Sequence, residues 1–134
     1  MSTANSPQIK RVPGSYADYQ RLASTSSITE WVEGELRFMP SPSIVHQLIL
    51  KLFFNLLEAV VNHQRLGLVL FAPFEVKLWS DGPARQPDIF FLTNEQRQSL
   101  SEQRFNGPPA LVVEIVSPGS VREDQVEKFK EYEK

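Results

Sequence analysis

Val45, Leu48, Ile49, Leu52, Phe53, Leu56, Leu57, Val60 and Val61 recur at intervals of three and four, the period of a helix with a wide apolar face. The pattern predicts a helix from Ile44 to about Arg65. Ser43, behind Pro40-Ser41-Pro42, is placed to cap it, and Gly67 follows its end. Upstream, Ser15 is placed to cap a short helix through Tyr16–Leu22. The stretch Trp31–Met39 then reads as a hairpin turning at Glu33-Gly34, with Trp31, Leu36 and Phe38 inward. Downstream, Leu68–Phe71 reads as a strand. Phe74–Trp79 alternates apolar and polar, the mark of a half-exposed strand. Asp88–Leu92 is the next strand, and the polar stretch 94–105 reads as a short helix and loop.

Ala110–Val116 is entered through Gly107-Pro108-Pro109 and left through Ser117-Pro118-Gly119. Its run of Val and Ile predicts a strand buried on both faces. A second helix is expected from Val121 to Lys134, with Val126, Phe129 and Tyr132 at helical spacing. Residues 1–14 read as a flexible lead-in, and 15–134 as one α/β domain with a mixed sheet flanked by helices. The last helix is still running at Lys134, so a further element is expected to follow it in related chains.

Composition narrows the function classes. A chain of 134 residues is one domain with one real core. Its 14 basic and 16 acidic residues give a formal net charge of -2, unlike a protein that lives mainly on phosphate contacts. Carboxylates neutralised by a metal would still permit a nuclease. The absence of cysteine excludes disulfides and thiolate zinc sites. Met1–Lys10 holds no apolar signal region, and the apolar runs fall short of the ~20 residues that cross a bilayer. A cytoplasmic protein with no membrane partner is expected.

The candidate chemistry is two carboxylates in apolar surroundings. Glu114 sits within Leu111-Val112-Val113-Glu114-Ile115-Val116, and Asp88 stands at the mouth of Ile89-Phe90-Phe91-Leu92. An ionised acid in such a place costs several kcal/mol unless it is paired or coordinates a cation. On neighbouring strands, Asp88 and Glu114 would suit a hard divalent cation, Mg²⁺ or Mn²⁺. Pro-Asp, a spacer, then Asp or Glu, any residue and Lys is a common nuclease spelling. Pro87-Asp88 and Glu114 match it, but Val116 holds the lysine position. Plainer readings stand beside these. Glu114 could be buried against an Arg or Lys for packing alone, and Asp88 could be a turn residue opening a strand.

The ordered motifs resemble the Uma family of putative restriction endonucleases, within the PD-(D/E)xK nuclease superfamily. They are Glu30 with Gly34-Glu35-Leu36, Met39-Pro40-Ser41-Pro42 ahead of His46, and Ala72-Pro73. Pro87-Asp88-Ile89 follows, then Gly107-Pro108-Pro109 leading into Val112-Val113-Glu114-Ile115. Ser117-Pro118-Gly119-Ser120 and the four-residue steps Asp124, Lys128 and Tyr132 complete the set. The resemblance implies a restriction-endonuclease-like fold and metal-dependent hydrolysis of DNA phosphodiesters, with Asp88 and Glu114 as metal ligands. It also implies that Lys128, on the following helix, replaces the missing lysine, that Glu35 adds a carboxylate near the metal, and that His46 faces the cleft. Against each stands a simpler role. Lys128 could pair with Asp124 on a solvated face, Glu35 could be a hairpin residue, and His46 a surface residue near a helix start. The family usually continues with a Gly-Val turn and a strand that this chain lacks. The alternative function is a nuclease-fold module that binds nucleic acid or protein without cutting. Enzymes that cut both DNA strands are often dimeric, so a homodimer is a further expectation.

Overall fold

The computed structural model describes residues 8–23, 29–117 and 123–134. Among the described residues nine strands form two sheets. The larger is mixed, in the order β1-β3-β2-β6-β5-β8, and comprises β1 (Lys10–Pro13), β2 (Thr29–Val32), β3 (Glu35–Phe38), β5 (Glu75–Lys77), β6 (Ala84–Arg85) and β8 (Arg104–Asn106). All its pairings are antiparallel except β5 with β8. The smaller sheet, β4 (Gly67–Phe71), β7 (Ile89–Thr93) and β9 (Leu111–Val113), is antiparallel in that order, with β7 central. The helices are α1 (Tyr16–Ala23), α2 (Ile44–Gln64) and α3 (Phe129–Tyr132). A 3-10 turn covers Gln96–Ser99, and a π-helical turn Glu123–Lys128 runs into α3.

The helix signals act as read. The Ser15 hydroxyl accepts from the Asp18 amide at 3.1 Å and the Ser43 hydroxyl from the His46 amide at 3.1 Å, each satisfying an orphan donor of the first turn. Glu33 (φ 49°) and Gly34 (φ 78°) both take positive φ, as a two-residue turn matched to strand twist requires. Of the three inward residues expected there, Leu36 is buried, while Trp31 and Phe38 are half-buried.

Strand β7 shows why a fully apolar run was needed. Ile89 and Phe91 pack with Val69 of β4 against Val61, Leu57 and Phe54, the inner face of α2. Phe90 and Leu92 pack the other way, onto Val76, Leu78 and Phe105 of the larger sheet's side. A central strand covered on both faces cannot alternate with polar residues.

Several expectations are corrected. Lys10–Pro13, assigned to the flexible lead-in, is strand β1, paired with β3 from Lys10↔Phe38 to Pro13↔Glu35. The loop expected over 94–105 contains the start of β8. The half-exposed strand at 74–79 shortens to Glu75–Lys77 and is buried throughout. Its polar side lies under α1 and the hairpin. The Tyr16 hydroxyl donates to Glu75 at 2.5 Å, Arg104 Nε lies 3.2 Å from Glu75, and Lys77 Nζ sits 4.3 Å from the Tyr16 ring centre and 4.6 Å from that of Trp31. Burial lowers the pKa of Lys77. The strand at 110–116 shortens to Leu111–Val113, paired among the described residues with β7 alone, and Leu111 and Val116 are exposed.

Helix α2 also departs from expectation. At 21 residues and a mean hydropathy of 1.7 over its most apolar stretch, it is long and apolar enough to cross a bilayer. Only Val61 is fully buried. The turn at Ser117-Pro118-Gly119-Ser120 and the helix start at Val121 lie outside the described residues, apart from Ser117.

Candidate active site at the ends of strands 7 and 9

The register of β7 against β9 is Ile89↔Val113, Phe90↔Val112 and Phe91↔Leu111. One step beyond the ladder, Asp88 stands opposite Glu114. Directly opposed residues of an antiparallel pair point to the same face. The Ile115 amide donates to Asp88 Oδ2 at 2.7 Å, which ties the Asp88 carboxylate to the segment carrying Glu114. Each acid thus lies just outside its strand, where the backbone is no longer fully occupied by the ladder.

Different helices bring the remaining groups. His46, in the first turn of α2, places Nε2 3.3 Å from Asp88 Oδ1, with both side chains about 15% exposed. Its Nδ1 is buried and finds no partner among the described residues. Lys128, 4% exposed, ends the π-helical turn, and its Nζ lies 3.2 Å from Glu114 Oε2 and 3.7 Å from Glu30 Oε1. π-Helical turns are frequent at functional sites because they re-aim a side chain by part of a turn. One α-helical turn later, the Tyr132 hydroxyl donates to Glu114 Oε1 at 3.0 Å. Burial first, then the nearby Glu114 charge, holds the Tyr132 pKa well above its ordinary value, so it remains a proton donor at neutral pH.

Behind these lies a buried ionic network. Glu30, fully buried in β2, accepts from the Gln86 amide at 2.6 Å and lies 3.3 Å from Arg85 Nη1. Arg85 is fully buried too, and its Nε and Nη2 reach the two Glu131 oxygens at 2.7 and 2.8 Å, a bidentate fork. The alternation along this network, Glu131–Arg85–Glu30–Lys128–Glu114, lets each buried charge face one of opposite sign.

Four of the five residues singled out in the sequence therefore meet here: Asp88 with His46, and Glu114 with Lys128. Glu35 does not join them. It pairs with Arg37 at 3.2 Å and Arg11 at 3.8 Å, in a more exposed cluster where Arg37 also pairs with Glu127. The simple pairing of Lys128 with Asp124 falls on a side chain outside the described residues. Glu30, Arg85 and Glu131 were not singled out as site residues. A carboxylate between Thr29 and Trp31 in a strand was the available signal, the same kind that marked Glu114.

Asp88 and Glu114 fit a hard cation in donor type, since Mg²⁺ is commonly held by one or two carboxylates with water and substrate phosphate completing the shell. Among the described residues no cluster of three or more His, Cys, Asp and Glu side chains forms a ready cage. Asp88 and Glu114 would hold the cation.

A search of solved structures finds a chain from Anabaena variabilis, described as a putative nuclease belonging to DUF820. The likeness has a TM-score of 0.62 at 18% identity, and covers 75% of this chain and 56% of that one. At that identity the likeness shows the fold. The chain spans little over half the length of this neighbour. No curated protein matches the chain. The family model Uma2, described as "Putative restriction endonuclease", matches residues 16–134, so the chain belongs to that family.

Proposed function

We propose that this chain is a metal-dependent endonuclease that hydrolyses DNA phosphodiester bonds at Asp88 and Glu114. The observation that carries the reading is that Asp88 and Glu114 stand one step beyond the β7–β9 ladder, tied by the Ile115 amide at 2.7 Å from Asp88, with a buried lysine 3.2 Å from Glu114. A divalent cation bound there supplies Lewis acidity toward the phosphate and acidifies its coordinated water. The protein's own groups do the rest. Tyr132 and Lys128 fix the rotamer of Glu114, the Ile115 amide and His46 fix that of Asp88, and the carboxylates are thereby held in place before substrate arrives. Lys128 also supplies a positive charge where negative charge builds on the attacked phosphate. His46 acts as a positioning residue through Asp88. Family membership and the fold of the DUF820 neighbour support the reading.

The test is nicking of supercoiled plasmid in Mg²⁺ or Mn²⁺ by the wild type, Asp88→Ala and Glu114→Ala, each shown to be folded by circular dichroism. Metal-dependent nicking by the wild type and a loss of at least 100-fold in both variants is expected. Equal nicking by all three proteins would overturn the assignment. Salt-sensitive DNA binding without any cleavage would replace it with the non-cutting module.

A further inference from the structure

Helix α2 buries one side and leaves the other to water. Leu50, Phe54, Leu57 and Val61 face the β4-β7-β9 sheet. On the opposite side Val45, Leu48, Ile49, Leu52, Leu56 and Val60 remain 37% to 61% exposed. At 100° per residue these six fall in one band along the whole helix. Single exposed leucines are ordinary, but a continuous apolar band along a whole helix is the kind of patch that marks an interaction site.

The charges beside the band say what covers it. Lys51 and Glu58 are the only Lys, Arg, Asp or Glu residues in α2. Seven residues apart, they lie on the same flank of the apolar band, about 10 Å from one another along the axis. They are too far apart to pair within one helix, where partners sit three or four residues apart. In a heptad frame with Val45, Leu52 and Ala59 at one core position and Leu48, Asn55 and Asn62 at the other, Lys51 and Glu58 both occupy the flanking position that antiparallel helices bring together. A two-fold axis between Phe54 and Asn55 sets Lys51 beside Glu58 of the partner subunit, twice. A parallel pair would instead set Lys51 against Leu56 of the partner subunit.

The apolar face also extends beyond the helix. A 21-residue helix is about 31 Å long, and the band continues on the Lys51 side into an apolar groove of about 290 Å³ lined by Leu48, Leu50, Phe54 and Phe71. Phe71 is itself 49% exposed on the edge strand β4.

We infer that the exposed face of α2 is a homodimer interface in which two copies of the helix pack antiparallel, with reciprocal Lys51–Glu58 pairs. This rests on the helix face alone and stands apart from the catalytic reading. The polar pairs fix direction and register, while the apolar band supplies affinity.

Sedimentation velocity of the purified chain between about 1 and 100 µM tests it, alongside Lys51→Glu, the swap Lys51→Glu/Glu58→Lys, and Leu52→Glu. A dimer of twice 15.3 kDa is expected. Lys51→Glu, an exposed change that leaves the fold intact, should raise the dimer Kd at least tenfold, and the swap should restore it. Leu52→Glu should leave a monomer. A wild-type monomer throughout the range would overturn the inference, as would a dimer indifferent to all three variants. Flotation of a monomeric chain with phosphatidylcholine–phosphatidylglycerol vesicles would assign the face to a membrane instead.

Discussion

Replacing Arg85 with Met removes the centre of the buried ionic network and keeps a side chain of comparable length. The guanidinium faces Glu30 at 3.3 Å and holds both Glu131 oxygens at 2.7 and 2.8 Å, and the Arg85 and Glu30 side chains are wholly inaccessible. Without it, Glu30 retains the Gln86 amide and Lys128 Nζ at 3.7 Å, and Glu131 loses its fork. Breaking a buried pair by deleting one partner costs about 3–5 kcal/mol, because the remaining charge stays desolvated. With a urea m-value of about 1.5 kcal/mol/M, the unfolding midpoint should fall by about 2–3 M at unchanged m. If Arg85→Met leaves no native baseline, Arg85→Lys, which keeps the charge but not the fork, should show an intermediate loss. The double variant Glu30→Gln/Arg85→Met should lose less than the sum of the single variants. A loss below about 1 kcal/mol for Arg85→Met, or strict additivity in the double variant, would refute the claim that these groups act as one buried unit.

Other consequences follow from single contacts. At Gly67 an added Cβ would lie 2.0 Å from the Leu92 carbonyl oxygen in β7. Gly67→Ala should therefore destabilise the chain by about 1–3 kcal/mol in thermal melts, and an unchanged melting temperature would contradict the close approach. Burial and the Glu75 carboxylate push Tyr16 up to about 12, whereas an unfolded tyrosine titrates near 10. Below about pH 10 both states keep the proton. Between about pH 10 and 12 only the unfolded state releases it, so stability should fall with rising pH, and Tyr16→Phe should flatten that slope. Tyr132, raised in the same direction, adds to the fall.

How much of this was legible before folding depends on how local each signal is. The α2 period, the Ser15 and Ser43 caps and the Glu33-Gly34 turn involve residues within a few positions of each other, and the structure keeps all of them. The Asp88 and Glu114 signals were equally local, and antiparallel β7–β9 pairing makes them neighbours. Elements held only by their partners were not legible. Lys10–Pro13 and Ala84–Arg85 are short and polar or mixed, and become strands by pairing with β3, β2 and β5. The alternation at Glu75-Val76-Lys77 signalled a solvated side, yet Tyr16, Trp31 and Arg104 cover it from three other segments. The Glu30–Arg85–Lys128 network joins residues about 40 to 100 positions apart, and no sequence spacing announces such a meeting.

The central claim is that Asp88 and Glu114 together hold a divalent cation. Titration of Mn²⁺ into the chain by isothermal calorimetry, with Asp88→Asn and Glu114→Gln in parallel and a short DNA duplex present and absent, addresses it most directly. Saturable binding that tightens with DNA and disappears in both variants is the predicted result. Binding of the same strength in wild type and both variants, or no binding to the folded chain even with DNA, would contradict it.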